Sequence, residues 1–189
     1  MKKFFALVLA LAMSLSLVAC GGGDEAAPDA EGNADGKKVV KIGVFEPQTG
    51  DNGPGGKQEI LGMQYANEVV APTVDIAGET YDVELVIVDN RTTPENGPSA
   101  ASALVDQDVS IVLGSYGSGV SMAGGKVFQE AGMPAIGVTC TNPGVTAGNP
   151  CYFRVCFIDP FQGPALASYA FDGLETKLGV KTIKAKTTV

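Results

Sequence analysis

The stretch VSIVLGSYGSGVS, residues 109–121, decides the fold. Residues 109–113 form a short apolar run rich in β-branched side chains, as a strand buried on both faces requires. Gly114, Ser115, Tyr116, Gly117, Ser118 and Gly119 then break the run with small, turn-forming residues. From Ser121 to Ala131 the period lengthens to that of a helix, with Met122, Val127 and Phe128 as its apolar positions. The same alternation continues in both directions. Runs at 39–45, 83–88, 134–138 and 152–157 read as further strands, and helices are predicted at 57–71, 99–107 and 161–178. The first of these helices places Leu61, Tyr65 and Val69 on one face, the second carries Ala103 and Leu104, and Gly179 stops the third. Strand then helix, repeated, implies an α/β fold: a doubly wound parallel sheet with helices on both faces.

Ligands of such sheets sit beyond the carboxyl ends of the strands, in the loops that lead to helices. Three loops qualify here, at 46–56, 114–119 and 139–146. The second and third bring small hydroxyl residues and bare backbone amides to strand ends, the second beside a helix start. Unpaired N–H groups and the partial positive charge of a helix N-terminus suit a carboxylate, and Ser and Thr add donors without bulk. Taken singly, each loop also fits a purely structural use, with Ser118 and Ser121 capping the helix and Thr141 stabilising a turn.

Composition narrows the chemistry. The 189 residues include no His, so the commonest general base and the commonest metal ligand are both missing. Lys and Arg number 13 against 21 Asp and Glu, with no basic stripe to neutralise phosphates, which argues against nucleic acid as a partner. Neither phosphate-binding fingerprint is met. Gly125 lies six positions beyond Gly119 where a P-loop needs five, Val127 follows Lys126 where a hydroxyl is needed, and Gly117 and Gly119 are followed by Met122 where G-x-G-x-x-G needs glycine. The serine-hydrolase elbow is absent too. No enzymatic activity, cofactor or metal site is expected.

The first residues carry an address. Lys2 and Lys3, an apolar run at 4–18, then Ala19 and Cys20 leading into Gly21, Gly22 and Gly23 resemble a bacterial lipoprotein signal. On that reading 1–19 is a signal peptide and Cys20 is the acylated first residue of the mature protein, held by at least two chains at about 0.8 kcal/mol per buried methylene. Residues 20–38 then form an acidic, Gly- and Ala-rich tether, whose 16 residues from Gly21 to Gly36 reach roughly 20 to 24 Å. Loss of Lys2 and Lys3 leaves 11 basic against 21 acidic residues, about ten net negative charges. The protein is expected outside the cytoplasm, lipid-anchored at the outer face of the cytoplasmic membrane or in the periplasm. Three thiols remain, Cys140, Cys151 and Cys156, an odd number that allows at most one internal disulfide of open pairing. Cys156, flanked by Val155 and Phe157, is expected to be the buried structural thiol.

The order of these loops resembles the leucine-binding protein family, the extracytoplasmic receptors of branched-chain amino-acid ABC transporters. Its carriers are Lys41-Ile42-Gly43-Val44 with the Gly-rich loop after it, the 114–119 loop, Thr141-Asn142-Pro143 with Thr146, and Tyr152-Phe153-Arg154 followed by Asp159 and Gln162-Gly163. The resemblance covers 39 to about 178 and implies a type I periplasmic-binding-protein-like lobe over 39–189, the second lobe missing from this chain. It further implies that Ser118 and Thr141 hold a ligand carboxylate and that Thr139 offers its backbone carbonyl to the ligand ammonium. The implied ligand is an amino acid of branched-chain type or a related small carboxylate, and the implied partners are an ABC permease and ATPase, with the membrane reached through lipid on Cys20. A ligand-sensing module for a signalling partner and a non-functional truncated product are the alternatives. Two positions depart from the family. Gly55 falls where many relatives place an aromatic, and Glu46 falls where they often have Gly, next to the presumed cleft, where it would either favour a cationic ligand or, as expected here, be solvated. Relatives are about twice as long, so an uncovered apolar sheet edge is expected, and 181–189 alternates like a further strand.

Overall fold

The computed structural model describes residues 37–170. The signal peptide, Cys20, the tether before Lys37, the end of the last predicted helix and the 181–189 run lie outside the described residues. Within them the chain runs β1 (Val39–Glu46), α1 (Gly53–Tyr65) with a π-helical extension (Ala66–Val70), β2 (Thr73–Ile76), β3 (Glu79–Asp89), α2 (Gly97–Val105), β4 (Ile111–Leu113), α3 (Ser118–Glu130), β5 (Ala135–Gly137), a 3-10 turn (Pro143–Val145), β6 (Tyr152–Arg154) and α4 (Asp159–Ser168). They build one six-stranded sheet in the order β2-β3-β1-β4-β5-β6.

All pairings are parallel except β2 with β3, a hairpin the sequence did not announce. Its turn is Ala77-Gly78, both at positive φ (52° and 85°), the geometry that matches the twist of a two-residue hairpin. Asn or Asp is the usual first residue of such a turn, and Ala hides the signal. The hairpin also explains why β3 starts at Glu79, four residues before the predicted Val83.

β1 occupies the middle of the sheet, Val44 pairing with Ile87 on one side and Leu113 on the other, and its last four residues are buried. Phe45, Leu104, Val112, Val120, Phe128 and Tyr152 form the core with α2 and α3. Phe45 and Phe128 meet edge to face, with centroids 5.3 Å apart and planes at 83°, a geometry favoured by the ring quadrupoles. Gly124 allows that contact, because a Cβ there would lie 2.6 Å from Cζ of Phe45.

α1 buries a stripe of Gly53, Gly56 and Ile60. The predicted apolar face of Leu61, Tyr65 and Val69 is instead 61–64% exposed. Close approach of the two glycines turns the small-residue face inward, and bulk alone misassigns it. Ile42, Leu85, Ile111, Leu113 and Val138 line an apolar concavity of about 700 Å³ beside Met63 and Ala66. Beyond Arg154 the chain leaves the sheet, so Val155 and Phe157 are 75% and 57% exposed and Cys156 is only half-buried. Cys140 is the buried thiol, desolvation pushes its ionisation up, and all three thiols are free. Among the described residues no helix is long and apolar enough to cross a membrane.

Candidate functional site

β1, β4 and β5 are neighbours, so the loops after them meet at one end of the sheet. After β4 the chain passes into α3 at Ser118, with Gly117 extended before it (φ −107°, ψ 124°) and no side chain capping the helix. The first-turn N–H groups of α3 are therefore left for an external acceptor. Ser121 does not cap either. Its buried hydroxyl donates back to the Gly117 carbonyl at 2.8 Å.

Ser118 Oγ accepts the N–H of Asn142 at 3.3 Å, which joins the second loop to the third one residue from Thr141. Asn142 Oδ1 accepts the Gly144 N–H at 2.8 Å and so holds the turn that Thr141 could have held. The half-buried Thr141 thus keeps a hydroxyl without a hydrogen bond among the described residues, while its carbonyl accepts the Asp159 N–H at 3.0 Å. Thr139 is tied elsewhere: its hydroxyl donates to Glu59 Oε1 at 2.5 Å, and its carbonyl has no backbone donor among the described residues. Of the three predicted residues, Ser118 opens α3, Thr141 lies one residue from the Asn142 N–H that bonds to Ser118 Oγ, and Thr139 reaches across to α1.

Several residues that build this site were not singled out as functional in the sequence. Arg154 donates from Nη1 to the carbonyls of Cys140 (3.1 Å) and Asn142 (2.9 Å), and from Nη2 to Pro143 O (3.2 Å) and Thr146 Oγ1 (2.8 Å). One planar fork therefore sets the path of the third loop. Asn90, fully buried, donates to Phe45 O (3.0 Å) and Ser115 Oγ (2.9 Å) and so ties β1 to the second loop. Asp89 accepts from the backbone of Gln48, Thr49 and Arg91 and from the Thr49 hydroxyl. Burial is the largest single effect on that carboxyl and opposes ionisation, but the hydrogen bonds together hold it below its ordinary value. Its position at the carboxyl end of β3 is the one signal that could have found it.

Glu46 corrects the sequence reading. It is fully buried, not solvated, and its Oε2 accepts the Tyr116 N–H at 2.8 Å. Desolvation first, and Glu59 second, push its carboxyl up to about 9, so it is neutral at neutral pH. At the other departure, Gly55, a Cβ would lie 2.6 Å from the Tyr116 ring, so the absence of a side chain there lets the Tyr116 ring of the second loop pack against the start of α1.

A profile of the periplasmic binding protein family matches residues 39–183. An amino acid binding protein of Pseudomonas aeruginosa is 36% identical over 140 residues, covering 73% of this chain and 37% of that protein. Among solved structures, the leucine binding protein LivK of Thermotoga maritima matches at TM-score 0.64 and 37% identity, over 72% of this chain and 38% of that one. LivJ of Streptococcus pneumoniae, solved in complex with isoleucine, matches at TM-score 0.65 and 30% identity, over 75% and 39%. Matched over most of its own length and over well under half of theirs, the chain belongs to the leucine-binding protein family of periplasmic binding proteins.

Proposed function

We propose that this protein is the extracytoplasmic solute-binding component of an ABC transporter and takes an amino acid of branched-chain type or a related small carboxylate. The observation that supports this reading is the bond from the Asn142 N–H to Ser118 Oγ, which brings the loop that carries Thr141 to the uncapped N-terminus of α3. A carboxylate there would accept charge-assisted hydrogen bonds from the Ser118 and Thr141 hydroxyls and from the first-turn amides. The Thr139 carbonyl, which has no backbone donor among the described residues, would accept from the ammonium. The protein's part is binding and delivery to a permease and its ATPase, with no bond made or broken.

Leucine calorimetry on the intact protein tests the site. Ser118→Ala and Thr141→Ala should each weaken binding by about tenfold to a hundredfold, the worth of one hydrogen bond to a charged group. Affinity unchanged in both would remove these residues from the site. In the same reading Cys20 carries the lipid anchor, and mass spectrometry of the mature N-terminus should find acylated Cys20. An unmodified N-terminus, or one at another residue, would refute the anchor.

A further inference from the structure

Glu46 ends β1 and Glu59 lies within α1, and each holds one of the ligand-side loops. Glu46 Oε2 accepts the Tyr116 N–H at 2.8 Å, and Glu59 Oε1 accepts the Thr139 hydroxyl at 2.5 Å. The leftover oxygens, Glu46 Oε1 and Glu59 Oε2, are both buried without a hydrogen-bond partner, and Glu59 lies near enough to Glu46 to oppose its ionisation. Ionised carboxylates are acceptors only, so two of them can bond directly only through a proton.

The surroundings supply no alternative neutralisation. No lysine or arginine among the described residues forms an ion pair with either carboxyl. The other titratable group facing Glu46 is the Tyr152 phenol from β6, which burial keeps neutral. From the β4 side come the Tyr116 N–H and Gly114, where a Cβ would fall 2.6 Å from Glu46 Oε1.

We propose that Glu46 and Glu59 share one proton and act as a positioning pair for the ligand: the bridge ties the loop after β4 to the loop after β5 and anchors Thr139 by its hydroxyl. Thr139 is thereby fixed with its carbonyl left over for an ammonium group. The shared proton also keeps one negative charge away from the loop whose Ser118 meets the ligand carboxylate. The ligand half of this inference rests on the amino-acid-binding reading above, while the proton itself does not.

The sign of the pH dependence follows. Folding holds a proton that the unfolded chain releases near the ordinary carboxyl value of 4.5. The stabilisation is therefore complete below about 4.5 and is lost as pH rises through about 9.

The test uses the intact protein, with thermal unfolding and leucine calorimetry from pH 6 to 10 on wild type, E46Q and E46A. Wild type should melt at progressively lower temperature as pH rises toward 9. E46Q, whose amide is a permanent donor to Glu59, should lose most of that slope. At pH 7, E46A should bind leucine at least tenfold more weakly and E46Q should recover most of the loss. Because leucine's own ammonium titrates in the same range, the comparison between variants carries the result. Binding of leucine with the full slope retained in E46Q would overturn the pair and spare the functional reading. No leucine binding with the slope flattened in E46Q would do the opposite. Should E46A fail to fold, carbon-13 titration of the wild-type glutamate carboxyls decides: one of the two should stay protonated to about pH 8, and ordinary titration of both would overturn the proposal.

Discussion

Arg154→Ala should cost about 3 kcal/mol of stability and most of the ligand affinity, because a single guanidinium holds the third loop at four points. A hydrogen bond to a charged group contributes roughly 1.5 to 3 kcal/mol, and the partial exposure of Arg154 and of its acceptors reduces their sum. The acceptors do not find new donors easily. Cys140 is buried, and its carbonyl would be left without its guanidinium partner in a site that side-chain truncation opens only partly. Thr141 lies between two of the anchored carbonyls, Cys140 and Asn142, so a loosened loop moves the hydroxyl assigned to the ligand. Arg154→Lys should recover little, since a point-like ammonium on a flexible stem cannot serve four acceptors spread around a planar fork. Urea denaturation gives the stability loss, and hydrogen exchange shows where it falls. Faster exchange should be confined to residues 139–146 and the start of α4, where the Asp159 N–H bonds to Thr141. Protection there equal to wild type would mean that Arg154 does not set the loop.

What the sequence made legible, and what it hid, divides along physical lines. Strands β1, β4 and β5 announce themselves as short β-branched runs, since burial on both faces leaves no polar alternative. The loops that carry Ser118 and Thr141 were readable from the strand-loop-helix order, whereas the ligand roles given to these two residues came from the family resemblance and remain a proposal. Arg154 was part of the family resemblance, yet its role was hidden, because three of its four acceptors are backbone carbonyls that every residue possesses. Glu46 and Glu59 stand 13 positions apart on different elements, and only the packing of α1 on β1 brings their carboxyls together. Cys140 is buried and Cys156 half-exposed because the chain leaves the sheet after Arg154, a bend without a breaker residue in Val155-Cys156-Phe157. The inward face of α1 was misread for a related reason. Its packing selects the residues with least bulk, whereas hydrophobic periodicity weights those with most.

That packing makes Gly56 and Gly62, two glycines of the same helix, respond to alanine with opposite signs. At Gly56 a Cβ would lie 2.1 Å from the Pro47 carbonyl oxygen and 2.7 Å from Cγ and Cδ of its ring. Pro47 is buried, and its carbonyl belongs to the backbone, so no rotamer change makes room. α1 would have to retreat by about 1 Å, toward ordinary contact distance, and would carry Ile60 and Glu59 with it. Overpacking of this kind costs about 1 to 3 kcal/mol, and a backbone obstacle puts Gly56→Ala at the upper end. The gain in helix propensity, about 1 kcal/mol for alanine over glycine, offsets only part of that. Gly62 has nothing within 4 Å of the added atom, so Gly62→Ala receives the propensity gain alone and should stabilise by up to about 1 kcal/mol. Urea midpoints of the two variants therefore should move in opposite directions. Gly56→Ala should also weaken leucine binding, since Glu59 can no longer reach both Glu46 and Thr139. A stabilised Gly56→Ala variant would show that α1 does not lie against Pro47, and the placement of Glu59 beside Glu46 would fall with it.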